Sequence, residues 1–234
     1  MISISFDVDW ALDDVLLDCL DLLSTAPNIK ATFFATHATS VLSSKNISQH
    51  EVGIHPNFMP NFQGKGRHYH EVIDELMALY PNAKGVRFHS LGHAAPVLDY
   101  CLQQGICYDS SIYLPRQISP YEEYTGILRI PFQCSDLQMV IDNDTFKLNI
   151  DQYKYSSKLP LCFVFHPIHI FLNTYSVEHY KKAKPYFHDF DMLKTQVNKC
   201  FPGVRDFMLD ILAKADHYKF ITLEKLYERH FKTN

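Results

Sequence analysis

The sequence has no basic stripe. Lys and Arg number 22 against 26 Asp and Glu, a formal net charge of −4, so nothing in it is built to neutralise a phosphate backbone and no nucleic-acid partner is expected. It has no run of about 18 consecutive apolar residues, the length a membrane-spanning helix needs, so stable membrane insertion is not expected. The opening MISISFDVDW has neither a charged stretch nor a long apolar one and reads at once as a strand; no secretory signal is expected, and the expected location is the cytoplasm. No two of the six cysteines are spaced as C-x-x-C, and most sit in apolar runs. That excludes a disulfide framework and points to buried, reduced thiols. There are no repeats, no Gly/Ser linkers, and no phosphate loop or dinucleotide fingerprint.

What is present is enough apolar material for one core: 47% of 234 residues. One domain over residues 1–234 is expected, since single α/β barrels commonly reach about 200–250 residues. Strands are predicted at Ile2–Val8, Ala31–Ala35, Glu51–His55, Gly85–Phe88, Ile106–Tyr108, Ile127–Phe132, Leu161–Phe165 and Phe220–Thr222. Helical spacing of apolar residues predicts helices at Asp14–Leu23 with Asp13 as N-cap, Glu71–Leu79, Pro96–Gln104 and Leu223–His230, and near 189–199 and 204–215. Residues 56–70 form a long loop, a feature usually tied to function in a compact domain. Residues 133–158 have no legible pattern, and 170–187 read as an aromatic, basic insertion. Alternating strands and helices argue a mostly parallel sheet, closed into a distorted (β/α) barrel of about seven strands, with an open doubly wound sheet as the alternative.

The polar residues fall at one kind of place. Asp7 and Asp9 end the first strand, His55 the third, Arg87 and His89 the fourth; Asp109 follows the fifth, and His166 ends the apolar LCFVF run. The carboxyl ends of barrel strands carry the active site. Any one of these residues has a bland alternative, such as an Asp serving as helix cap or turn former. Together they share a rim, which caps and turns do not explain. His50 lies five residues before His55, roughly 16 Å along an extended strand, too far to share an ion. It is read as a surface histidine, like His179, His188, His217 and His230. Trp10, the only tryptophan, is read either as a platform for a sugar ring or as core.

At this point the motifs SFDVDW (5–10), HEVGIHPNF (50–58), GVRFHSLGH (85–93), ICYDSSI (106–112), RIPFQCSD (129–136) and FVFHPIHIFLN (163–173) resemble, in order and spacing, those of the polysaccharide deacetylase superfamily, the NodB-homology proteins of carbohydrate esterase family 4. The likeness is to a bacterial branch associated with surface polysaccharide synthesis. It implies a barrel of about seven strands and a divalent ion, commonly Zn²⁺. Carried over by position, it implies Asp7 as general base, Asp9 and His55 as metal ligands, Arg87 pairing bidentately with Asp7, His166 as general acid, and Asp136 as a carboxylate supporting that His. The implied substrate is a carbohydrate losing an N-acetyl or other acyl group; a cytoplasmic location favours a nucleotide- or lipid-linked precursor.

Two departures matter. Val8 separates aspartates that are adjacent in the family, so which of Asp7 and Asp9 is base and which ligand stays open; strand alternation puts both on one side if the strand continues. Met59 stands where a second histidine is usual, and a thioether is a poor ligand for Zn²⁺. The third ligand is then His89, with His68 and His70 as the alternatives. The rival readings are a barrel that binds glycan without turnover, and an amidohydrolase acting on a non-sugar amide.

Overall fold

The computed structural model of the protein describes residues 1–44, 47–153 and 155–232. Its centre is four strands: β1 (Ile2–Asp7), β2 (Ala31–Ala35), β3 (Glu51–Ile54) and β9 (Leu161–Phe165). Short strands extend the sheet: β4 (Gly85–Val86), β5 (Tyr108–Asp109), β6 (Tyr121–Glu122), β7 (Leu128–Arg129) and β8 (Cys134–Ser135). The order is β6-β7-β5-β4-β3-β2-β1-β9-β8. Every pair is parallel except β6 with β7. The sheet is thus a curled half-barrel, with one antiparallel edge strand and eight parallel strands where about seven were expected. Its two edges, β6 and β8, are not paired with each other among the described residues. The predicted strand at Phe220–Thr222 is a single bridge from Phe220 to Ile2.

The helices are α1 (Asp13–Ser24), α2 (Met59–Phe62), α3 (Tyr69–Leu79), α4 (Ala95–Gln103), α5 (Asp136–Asp142), α6 (Pro167–Leu172), α7 (Val177–Ala183), α8 (Phe190–Lys194), α9 (Val204–Leu212) and α10 (Leu223–Lys232). The alternation of β1 shows how the layers divide. Ile2, Ile4 and Phe6 join the large core beneath the helices, where Phe6 stacks on Phe33 at 4.6 Å between centroids. Ser3, Ser5 and Asp7 occupy the other face, which lines the inside of the half-barrel. There a second cluster forms from Phe34, Tyr108, Leu128, Ile130, Phe132, Cys162 and Val164, plugged by Ile221 just before α10 and by Leu223 and Leu226 in its first turn.

Several expectations change here. Asp13 is not the cap of α1, which starts after Leu12 with no side-chain cap. Its carboxylate instead accepts from the hydroxyls of Thr39 and, at 2.5 Å, Ser40, tying α1 to the loop after β2. The long loop contains α2, and α3 begins two residues earlier than predicted. Residues 170–187 are not a loose insertion: α6 packs between α1 and α9. His50 precedes β3 rather than lying on it, and its Nδ1 accepts from the Ala31 amide at 3.1 Å. His179 is buried, its Nε2 2.7 Å from the Gln196 carbonyl, and is not a surface residue.

The amino-terminal mouth of the half-barrel is closed by a buried carboxylate that the sequence reading did not single out. Glu51 accepts from the Tyr108 hydroxyl, from Thr32 Oγ1 at 2.7 Å and from the Glu224 amide of α10 at 2.9 Å. Tyr108 reaches it across Gly85, where a Cβ would come within 2.1 Å of the phenol oxygen. Burial dominates the electrostatics and pushes the Glu51 carboxyl up to about 7, against the opposing pull of its three donors. The folded state therefore holds this proton more tightly than the unfolded chain. Its contribution to stability is fully present below about pH 4.5 and is lost as pH rises through about 7. Melting followed between pH 5 and 8 should show the wild type losing on the order of 3 kcal/mol from this group. Glu51→Gln should remove most of that slope; an unchanged slope would assign it to other groups.

Candidate metal centre and active site

Three backbone ladders carry the site residues past the ends of their strands. The amide of Val8 donates to the Phe34 carbonyl at 3.1 Å, that of His55 to Ala35 at 2.7 Å, and that of Arg87 to Ile54 at 3.1 Å. β1 and β4 then break off sharply. Asp9 and Trp10 have φ of 46° and 57°, and Ser90 and Leu91 have 54° and 58°. Non-glycine residues rarely adopt this left-handed conformation, and strain of this kind gathers at functional sites. The strand does not continue to Asp9, so alternation is not what places that carboxylate. The left-handed turn does so instead.

The turn swings Asp9 into two histidines. Asp9 Oδ1 lies 3.2 Å from His55 Nε2 and 3.0 Å from His89 Nδ1, and its Oδ2 lies 3.6 Å from His166 Nε2. One ligand atom from each of Asp9, His55 and His89 falls within 4.8 Å of the others. His55 and His89 meet edge to face at 5.4 Å between ring centroids, and the His89 amide donates to the Pro56 carbonyl at 3.0 Å, joining the loops after β3 and β4. Burial opposes ionisation of Asp9, but hydrogen bonds from His55 and His89 and the charge of His166 outweigh it and hold the carboxyl well below the usual range. One ionised carboxylate and two imidazoles converging from three strand ends fit a divalent ion of the Zn²⁺ type. His68 and His70 lie elsewhere: His68 is the N-cap of α3, and His70 stacks on Tyr100 at 3.9 Å.

Asp7 is held differently. Arg87, wholly buried, places Nη1 2.9 Å from Asp7 Oδ1 and 2.9 Å from Ser5 Oγ. The pair is single-pronged, not the bidentate one expected, because the other donors are engaged by Ser110, Nε on its carbonyl at 2.8 Å and Nη2 on its hydroxyl at 2.9 Å. The guanidinium lies 4.5 Å from the Phe34 ring centroid and 5.3 Å from that of Phe132. Asp109 shares the rim but not the site: it pairs with Arg129 at 2.9 Å and accepts from Ser111 Oγ at 2.5 Å. The Asp109–Ser110–Ser111 stretch is therefore scaffolding, with Ser111 Oγ also accepting from the Phe88 amide at 2.9 Å.

His166 ends β9 and is gripped by Asp136. Its Nδ1 lies 2.7 Å from Asp136 Oδ1, and its amide donates to Oδ2 at 2.6 Å. Asp136 is wholly buried and opens α5, in the stretch that had no legible pattern. Burial opposes a charged His166, but Asp136, then Asp9 and Asp7, push it up to about 10. A cation held at Asp9 would cancel part of that negative charge and lower the His166 value. His169, also buried, is pushed down to about 4 by burial and meets Thr174 Oγ1 through Nδ1 at 3.0 Å.

Two cavities meet at His166. One, of about 310 Å³, is lined by Asp9, Trp10, His89, His166 and His169 together with Tyr180, Lys184, Phe187 and His188. The other, of about 200 Å³, is lined by Asp7 and His166 with Leu91, Tyr113, Phe132 and Ile141 among its apolar walls. Trp10 is not core: it is 38% exposed and edge-on to His89 at 5.4 Å. His188, read from the sequence as a bland surface residue, borders the cavity.

A family model described as WbmS-like polysaccharide deacetylase matches residues 4–184. Among solved structures, a Bordetella bronchiseptica protein described as a polysaccharide deacetylase involved in O-antigen biosynthesis is 31% identical, with a TM-score of 0.83 over 92% of this chain and 90% of that one. A peptidoglycan N-acetylglucosamine deacetylase shares the fold at 16% identity and TM-score 0.52, over 97% of this chain and 87% of that one. A 4-alpha-glucanotransferase from Thermococcus litoralis shares it at 12% identity and TM-score 0.53, over 97% of this chain and 38% of that one. No curated protein matches the sequence. The chain belongs to the WbmS-like polysaccharide deacetylases and shares its half-barrel fold with the Bordetella protein.

If Asp9, His55 and His89 form the metal centre, metal content by mass spectrometry should be near one ion per chain after Zn²⁺ loading. It should be lost in His55→Ala and in His89→Ala, and kept in the double variant His68→Ala/His70→Ala. Retention of the ion in His89→Ala would move the third ligand elsewhere.

Proposed function

We propose that the protein is a metal-dependent N-deacetylase acting on a sugar, with Zn²⁺ held by Asp9, His55 and His89. The observation that carries this reading is the company the three keep. A carboxylate oriented by a buried Arg and an imidazole oriented by a buried Asp line one cavity beside them. A divalent ion so held supplies Lewis-acid polarisation of the acyl carbonyl and a more acidic water. Asp7, fixed by Arg87, is the base that takes a proton from the attacking water. His166 is the acid: Asp136 fixes its Nδ1, leaving Nε2 to deliver a proton to the departing nitrogen. What supports Asp9 as ligand and Asp7 as base is that Asp9 reaches both histidines while Asp7 pairs with Arg87.

Met59 in place of the usual histidine favours the non-catalytic rival, but His89 beside Asp9 offers the missing donor. By likeness to the Bordetella protein, the substrate is proposed to be a surface-polysaccharide sugar or its nucleotide- or lipid-linked precursor, met in the cytoplasm. Acetate release from N-acetylated sugars by Zn²⁺- or Co²⁺-loaded protein tests the activity. His166→Ala should lower kcat by about 10²–10⁴-fold with metal content unchanged. Loss of metal along with activity would overturn the role of acid, and a loaded wild type inert on every acetylated sugar would favour a binding protein.

A further inference from the structure

The larger cavity has two unlike walls. Asp9, His89 and His166 form one. Tyr180, Lys184, Phe187 and His188 form the other, all from the end of α7 and the turn that follows it. At about 310 Å³ the space is at the small end of ligand sites, which run to about 300–1,000 Å³. It suits one sugar unit rather than a length of polymer.

The outer wall is positive and unanswered. From Tyr180 to His188 the sequence is YKKAKPYFH, with no acid before Asp189; of its three lysines, Lys184 lines the cavity. Among the described residues Lys184 has no carboxylate partner; its ammonium lies 5.6 Å from the centroid of the Tyr180 ring. The cavity's own carboxylate, Asp9, is committed to His55 and His89. Asp136 is committed to His166, and Asp7 to Arg87. Nothing on the catalytic wall is free to answer a cation opposite. Nor is the outer wall a loose loop. Ser176 caps α7 by accepting from the His179 amide at 3.1 Å, His179 Nε2 meets the Gln196 carbonyl at 2.7 Å, and Ala183 is fully buried. Tyr180 and Phe187 meet at 5.7 Å, so the two rings and the exposed Lys184 beside them are presented together at the cavity.

We propose that this wall selects a sugar carrying an anionic group, a carboxylate or a phosphate, with Lys184 as counter-charge, His188 as hydrogen-bond donor, and the Tyr180 and Phe187 rings against the sugar face. The reaction at the opposite wall rests on the deacetylase reading; the binding preference does not. Methyl glucoside, glucuronate and glucose 1-phosphate carry no amide and stay intact when titrated calorimetrically into Zn²⁺-loaded protein. At least one of the two anions should bind wild type about 10-fold more tightly than the neutral sugar, and which one it is identifies the group. The advantage should survive in Lys184→Arg, shrink at high salt and fall to about twofold or less in Lys184→Gln. Equal affinities for all three in wild type, or an advantage that persists in Lys184→Gln, would overturn the proposal; the latter would assign the anion to the metal centre. Acetate release from the matching N-acetylated sugars separates the two readings. Anion preference without release sinks the deacetylase and leaves the wall standing, and release without preference does the reverse.

Discussion

A guanidinium with no access to water must find a partner for nearly every N–H, and the interior of this half-barrel is arranged around that requirement. Arg87 leaves the sheet after β4 and draws on Ser5 and Asp7 of β1, on Ser110 beyond β5, and on the faces of Phe34 from β2 and Phe132. The partners come from four parts of the chain, so the buried charge ties them together around Asp7. Breaking a buried pair from one side typically costs about 3–5 kcal/mol, because the remaining charge is left without compensation. The small serine at position 5 follows from the same demand: its hydroxyl accepts from Arg87, and a large apolar side chain there would compete with the guanidinium for its space.

Much of this was open to sequence reasoning. The long strands β1, β2, β3 and β9 were legible because their apolar runs are unbroken and their ends abrupt. The convergence of Asp7, Asp9, His55, Arg87, His89 and His166 on one rim followed from their shared position at strand ends. The two-residue strands β6 and β8 were not legible, because so short a pairing leaves no periodicity to read. Asp136 is tied to its partner His166 by a contact thirty residues away in sequence. Without the motif resemblance, nothing local in RIPFQCSD would have singled it out. Glu51 was hidden for the opposite reason: an acid at the start of a strand looks like solvent-facing polarity, and only α10, arriving 173 residues later, buries it. Asp9 as a ligand came from the motif resemblance; alternation would have set it beside Asp7 had the strand continued, but β1 ends at Asp7 and a left-handed turn places it.

The two ends of the barrel divide the labour. At one, α10 and Glu51 seal the mouth with backbone amides and a carboxylate, and no cavity is needed. At the other, left-handed turns after β1 and β4 leave polar groups facing open space. His166 stands between a cationic compartment and an apolar one, so a group held across it meets different surroundings on its two sides.

The left-handed pair at Asp9 and Trp10 carries one last implication. Glycine adopts that conformation without the steric penalty of a side chain, so position 10 is a place where the fold on its own would favour glycine. It holds instead the only tryptophan of the chain, half out in solvent and edge-on to His89. Strain of this kind costs about 1–3 kcal/mol per residue, and natural chains commonly give up such amounts where activity requires it. A glycine there would relieve that strain and leave the rim of the cavity without its indole ring.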